Sequence, residues 1–302
     1  MEQLSEMHEA FSMLPFTSFT MVLQVCNEEA RIRRVLDYYS RFGRIIVIDN
    51  NSTDNSASIA GEFGCRVISI SNEGSAQTPE WFRHVFAQVD TTYVLLLSCS
   101  EFIPPKAMVE YNRVAQEKCY KMVTNVVISH TCGEDIQIWG GRFTNIVRRT
   151  ERFFNRDELD YDAIFIHAPF RTRRGDDVLH LLSDKKYNIV HLRDSDIRGL
   201  TSKHLAYAMV EAEQIVTHNG RISVWRLLNL VVSDLIRFIR LPFKKKNLIS
   251  TREIWARVMM HITIYFLVRE QKEGKGIEYS REKSNELWSA LVLQQSTTTV
   301  KE

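Results

Sequence analysis

The chain has 302 residues, of which 44% are hydrophobic and 25% charged, and its formal net charge is +2. This length accommodates one large domain or a domain with a long appendage, and the near balance of charge gives no sign of a nucleic-acid partner. Five scattered cysteines (Cys26, Cys65, Cys99, Cys119, Cys132) form no Cys-x-x-Cys pair, which excludes a thiolate metal site and reads as reduced core thiols of a cytoplasmic protein.

The polar, acidic stretch Met1–Ser12 does not read as a secretory signal. The first third alternates strand and helix. Strand Phe19–Cys26 leads into a helix from about Glu28 to Phe42, with Asn27 as its N-cap and Gly43 as its stop. Strand Arg44–Asp49 precedes a helix Asp54–Phe63 that ends at Gly64. Strand Cys65–Ser69, a polar loop at Ser71–Thr78, and a helix Pro79–Gln88 with proline at its first position follow. Strand Thr92–Leu97 then reaches a polar cluster, and Pro104-Pro105 opens a helix running to about Glu117. Alternation of this kind predicts a parallel sheet covered by helices on both faces.

The pattern changes after residue 118. Tyr120–Ser129 and Gln137–Val147 read as longer, antiparallel strands, residues 150–185 as charged and irregular, and Tyr187–His191 as a short strand. Helices are expected at Thr201–His218, ended by Asn219-Gly220, at Ile222–Leu241, and at Thr251–Lys272 near Gly274. The expected division is an N-terminal extension (1–18), an α/β domain (19–196), a C-terminal helical region (197–294) and a disordered tail (295–302). No uncharged run approaches the ~18–20 residues of a membrane span.

Three apolar strands stop abruptly at small polar clusters: Cys26-Asn27-Glu28-Glu29, Asp49-Asn50-Asn51-Ser52-Thr53-Asp54, and Ser98-Cys99-Ser100-Glu101. Strands that deliver polar residues at their carboxyl ends open a ligand crevice. In register, these segments resemble a family-two glycosyltransferase of the GT-A fold, nearest to the lipopolysaccharide core-type subgroup, whose words read Lys-Asn-Glu-Glu, Val-Val-Asp-Ser-Gly-Ser-Thr-Asp and Leu-Asp-Ala-Asp-Glu-Arg-Ile-Pro-Pro. The resemblance covers about residues 19–105, with weaker echoes to about 215. It implies a mixed, mostly parallel sheet, a nucleotide-sugar donor, a saccharide or lipid-linked acceptor, and inversion at the anomeric carbon.

The family's Asp-x-Asp binds Mg²⁺ or Mn²⁺ against the donor diphosphate. Here Ser98 and Ser100 stand at those positions, and a neutral hydroxyl is a weak ligand for such an ion. Asn145 stands where the family carries an arginine, and Ala168, after His167, where it carries a glutamate. The metal requirement is therefore left in doubt, and a catalytically inactive GT-A-like binding or scaffold protein is the alternative function.

Donor contacts are expected from Asn27, Glu28, Asp49, Asn51, Arg83, Ser98 and Ser100. Capping and turn formation explain Asn27 and Asp49 as well, and explain Asp54 better than ligand contact does. His167, Asp162 and Glu101 are the candidate catalytic groups, with Asp160 a further candidate base. Trp139, Arg142, His191 and Lys203 are candidates for the acceptor or phosphate side. Arg83, Arg142, Arg148 or Arg149 could neutralise a diphosphate without a metal. His204 reads equally as a helix-surface residue, and no His-x-x-x-His spacing suggests zinc.

Trp225, Leu228, Val232, Leu235 and Ile239 share one side of the helix Ile222–Leu241, and Lys244-Lys245-Lys246 follows. Such a helix can lie on an anionic membrane surface or pack on its own domain. The expectation is a cytoplasmic protein peripheral to the inner face of the membrane.

Overall fold

A strand with consecutive apolar residues, as at Met21–Leu23 of β1 (Phe16–Val25), needs cover on both faces, and β1 lies inside a mixed sheet. The computed structural model describes residues 15–71, 78–131, 134–135, 149–164, 170–173, 177–193, 197–218, 220–240, 248–274 and 280–287. Strand β1 pairs in parallel with β2 (Gly43–Asp49) on one side and β4 (Tyr93–Ser98) on the other, and β3 (Arg66–Ser69) adds in parallel to β2. Helices α1 (Glu29–Tyr39), α2 (Ser56–Glu62), α3 (Pro79–Phe86) and α4 (Pro105–Glu117) make the crossovers.

Side-chain alternation divides the interior into two cores. Met21, Leu23, Val47, Leu95 and Leu97 face one way, against Ile32 and Leu36 of α1 and Met108 and Tyr111 of α4. Val22, Ile46, Val94 and Leu96 face the other way, against Trp81, Phe82 and Val85 of α3.

The second half of the sheet is mixed. The path runs β3-β2-β1-β4-β8-β6-β10-β5, with β6 at Met122–Thr131, β8 at Arg149–Asn155, β10 at Ile189–Arg193 and the two-residue β5 at Glu101–Phe102. Strands β7 (Glu134–Asp135) and β9 (Val178–His180) both pair with β6.

Several expectations are corrected. Residues 150–185 are not irregular throughout: β8 is an interior strand, antiparallel to both β4 and β6. Its charges disguise it. Arg152 forms an ion pair with Glu101, while Phe153 and Phe154 fill opposite cores. The Phe153 ring stacks on Tyr93 and Tyr111, with centroids 5.5 and 4.7 Å away. Helix α1 stops at Tyr39, and Gly43 instead opens β2, where a Cβ would lie 2.4 Å from the Phe16 carbonyl oxygen. Cys26 and Cys119 are exposed, because they fall in the turns after β1 and α4 rather than in strands; Cys99 alone among the described cysteines is buried. The strand expected at 137–147 lies outside the described residues.

Three long helices follow, α5 (Ile197–Thr217), α6 (Val224–Arg240) and α7 (Leu248–Glu273), and residues 280–287 are helical as well. Helices α5 and α7 share a small core, Ala208 and Ala212 of the first with Met260, Ile264 and Val268 of the second, separate from the two sheet cores. Helix α6 is tied to α7 by a buried charge. Asp234 accepts Arg257 Nε and Nη2 at 3.0 and 2.9 Å, and His261 Nε2 lies 3.2 Å away. Among the described residues no helix is long and apolar enough to cross a membrane.

Burial alone would raise the Asp234 carboxyl; hydrogen bonds from His261 and Arg257 overcome that and hold it at about 2, below the ordinary 3.8. A depressed carboxyl stabilises the fold above its ordinary range, and that contribution disappears as pH falls from about 4 through about 2. Replacing Asp234 by Asn strands Arg257 without a counter-charge and should cost about 3–5 kcal/mol. Urea unfolding followed by far-ultraviolet circular dichroism should show this loss at neutral pH. The gap between wild type and variant should narrow from about pH 4 and close only below about pH 2.

Candidate functional site

The register that aligns the strands also aligns their carboxyl ends. Val25 of β1 pairs with Asp49 of β2, and Gln24 with Ser98 of β4. The three polar clusters therefore emerge at one edge of the sheet.

The first two clusters clasp each other. Asn27 and Asn51 both take left-handed backbone conformations, φ 54° and 52°, which asparagine tolerates better than most residues. The sharp turns let the two loops exchange hydrogen bonds. Asn27 N–H donates to Ser52 Oγ (3.0 Å), and Thr53 N–H donates to Asn27 Oδ1 (2.8 Å). Glu28 N–H donates to Ser56 Oγ (2.7 Å). Asp54 serves two helix beginnings, accepting Glu29 N–H (3.0 Å) with one oxygen and Ser56 N–H (2.9 Å) with the other. A hydrogen bond with the Ser56 side chain, with backbone N–H bonds adding to it, holds its carboxyl below the usual range. Asn27 is thus not the N-cap of α1; Glu28 occupies that position without a side-chain cap bond, and Asp54 supplies the acceptor from the neighbouring loop.

Asp49 is buried, and both carboxylate oxygens accept Ser52 N–H, at 3.3 and 3.2 Å. The Glu28 carboxylate receives Arg31 Nε and Nη2 at 2.7 and 2.8 Å. Beside them the Cys26 thiol is pushed up by partial burial and then by the carboxylates of Asp49, Glu28 and Asp54.

The third cluster is fixed from behind. Ser98 Oγ and Ser100 Oγ share a hydrogen bond of 3.0 Å. Leu192 N–H of β10 donates to the Ser100 carbonyl (2.7 Å), and Glu101 pairs in register with His191. The buried Tyr39 hydroxyl donates to the Glu101 carbonyl and accepts Ile103 N–H, both at 3.0 Å. The Glu101 side chain is buried against Arg152, and among the described residues its Oε2 has no hydrogen-bond partner. Burial works to lower the Arg152 guanidinium, but the Glu101 carboxylate outweighs it and raises the group above its ordinary value. Burial also lifts the Cys99 thiol to about 12.

The structure brings Asn27, Glu28, Asp49, Asn51, Ser98 and Ser100 to one edge, with Glu101 beneath it and His191 on the adjoining strand. It does not bring Arg83 and Asp162 there as free groups. They form an ion pair with each other, and Arg83 also lies 5.6 Å over the Tyr161 ring. Lys203 of α5 lies 5.8 Å over Tyr207. His204 is buried rather than on the helix surface, with Nδ1 2.8 Å from the Leu200 carbonyl. Arg149 donates to the Leu181 carbonyl (2.8 Å). Trp139, Arg142, Asn145, Arg148, His167 and Ala168 lie outside the described residues. Tyr39 and Arg152, which position the third cluster, carry no signal in the sequence: both stand among charged residues, and only their distant partners make them interior.

A divalent cation at the Asp-x-Asp position is what the family resemblance implies, and the donor set here does not fit one. Two neutral hydroxyls bonded to each other supply no charge, and Glu101 is already neutralised by Arg152. Among the described residues no three His, Cys, Asp or Glu side chains converge as a metal site.

Residues 20–178, just over half of the chain, match the family described as Glycosyl transferase family 2. A search of curated proteins finds no match. Among solved structures, the chain is similar to glucosyl-3-phosphoglycerate synthase from Mycobacterium tuberculosis in complex with Mn²⁺ and uridine-diphosphate-glucose. That match has 18% identity, covers 73% of this chain and 84% of that one, and has a TM-score of 0.42. The chain is also similar to S. aureus TarS 1–349 in complex with UDP-GlcNAc, at 12% identity, 86% and 93% coverage, and a TM-score of 0.40.

The Glu101–Arg152 pair yields a double-mutant test. Glu101→Ala or Arg152→Ala alone leaves a buried charge and should cost about 3–5 kcal/mol. The apolar pair Glu101→Leu with Arg152→Met should recover most of that loss. Urea unfolding of the three variants measures it.

Proposed function

Because the chain belongs to glycosyl transferase family 2, we propose that it moves a sugar from a nucleotide-sugar donor to a saccharide or lipid-linked acceptor, with inversion and without a divalent ion. The observation that carries this reading is the common edge at which the clasped β1 and β2 loops meet the Ser98–Glu101 cluster. Asp49 and Asn27 stand where a base or ribose offers N–H and O–H donors. Hydroxyls at Ser98 and Ser100 can turn to donate to phosphate oxygens, a contact a carboxylate pair cannot make without an intervening cation.

In the reaction the acceptor hydroxyl attacks the anomeric carbon from the side opposite the diphosphate. The bond from that carbon to the phosphate oxygen breaks, the electron pair leaves with the nucleoside diphosphate, and the acceptor proton passes to a base. A base must have a lone pair to offer. The carboxylates of Glu101 and Asp162 are engaged by arginines, so His167 and Asp160 are the candidates that remain for that role. The same pairing of Glu101 favours a second reading, a family member that binds a donor without turning it over.

Calorimetric titration with UDP, GDP and their sugars separates these readings. Binding with little change between EDTA and added Mn²⁺ is expected. A gain of tenfold or more on adding Mn²⁺, about 1.4 kcal/mol, would overturn the metal-free reading. Asp49→Ala should weaken the nucleotide by about 1–3 kcal/mol; unchanged affinity removes Asp49 from the donor site. Binding without any transfer to water or acceptor selects the inactive protein.

A further inference from the structure

Helix α6 has two apolar sides, and only one is used. Leu227, Val231 and Phe238 are half-buried on the side that carries the buried Asp234. On the other side Trp225, Leu228, Val232, Leu235 and Ile239 recur at helical spacing and stay exposed, Trp225 to 75% and Ile239 to 67%. Helix α7 adds Trp255 and Phe266, 55% and 56% exposed. A helix held only to complete the fold would hide such residues or replace them with polar ones.

The charge around this helix is segregated. Residues 221–252 contain eight basic side chains and one acid, Asp234, for a net +7. The whole chain is +2, so the remaining residues sum to −5. That single acid is 1% exposed and already neutralised by Arg257, so it does not offset the positive charge outside.

We propose that the exposed side of α6 lies in the headgroup layer of an anionic lipid membrane. Apolar side chains with tryptophan enter the interface, and the surrounding lysines and arginines meet the negative surface. With no described helix able to cross the bilayer, the protein rests on it. A second copy of the chain is a poorer occupant, because a two-fold contact places the same patch against itself and would bring two +7 segments together. This inference is independent of the donor chemistry, since nucleotide titration needs no lipid.

The test uses the full chain with vesicles of phosphatidylcholine alone or mixed with phosphatidylglycerol. Co-sedimentation should occur with the mixed vesicles, with a blue shift of tryptophan emission, and should reverse in high salt. Trp225→Glu combined with Ile239→Glu changes only exposed positions and should reduce the bound fraction by at least about tenfold. Thermal unfolding of the variant, matched to wild type, confirms that its fold is retained. If that variant misfolds, Ile239→Glu alone serves, with a smaller expected loss. Three results would overturn the proposal: no binding to either vesicle, equal binding to both without salt dependence, or a folded variant that binds like wild type. A wild-type dimer in light scattering that the variant converts to monomer would instead assign the face to self-association.

Discussion

The ion pair between Glu101 and Arg152 is the constraint on which the site depends. Arg152 belongs to β8, the interior strand that joins the parallel half of the sheet to β6, and Glu101 opens the short β5 that pairs with β10. One buried contact therefore fixes the segment after β4 against both halves of the sheet. The Tyr39 hydroxyl holds the same segment from the α1 side. Two buried ions gain little stability over a well-packed apolar pair, so the pair matters chiefly for placement. It also withdraws Glu101 from any chemistry that requires a free carboxylate.

The clasp between the β1 and β2 loops complements that anchor. Its bonds join residues about 25 apart in sequence and satisfy N–H groups at the starts of α1 and α2. Buried or half-buried polar groups at strand ends need such partners. Much of the polar character visible in these loops is consumed internally: Asn27 Oδ1 accepts Thr53 N–H, and the Asp49 carboxylate accepts Ser52 N–H.

Much of this was legible in the sequence, for local reasons. Strands β1, β2 and β4 announce themselves by continuous apolar runs, and α3 and α4 by proline at their first positions. The three strand ends were visible because each apolar run stops at a polar residue. Strand β8 was hidden because Arg149, Glu151 and Arg152 look like surface, and only the distant partner Glu101 makes Arg152 an interior residue. The clasp was hidden for the same reason: Asn27 was read as a local cap, yet its partner is Thr53. Asp234 is one polar residue on an amphipathic helix, and only its distant partners Arg257 and His261 of α7 make it an interior charge.

Partial burial raises the Cys26 thiol, and the electric field of the carboxylates at this edge raises it further. Asp49, Glu28 and Asp54 together disfavour a negative sulfur there, and they will disfavour any other anion at the same spot. Burial and that field together favour the protonated thiol at the rim, where thiolate chemistry is slow. That thiol is consequently sluggish toward oxidants and electrophiles despite its accessibility.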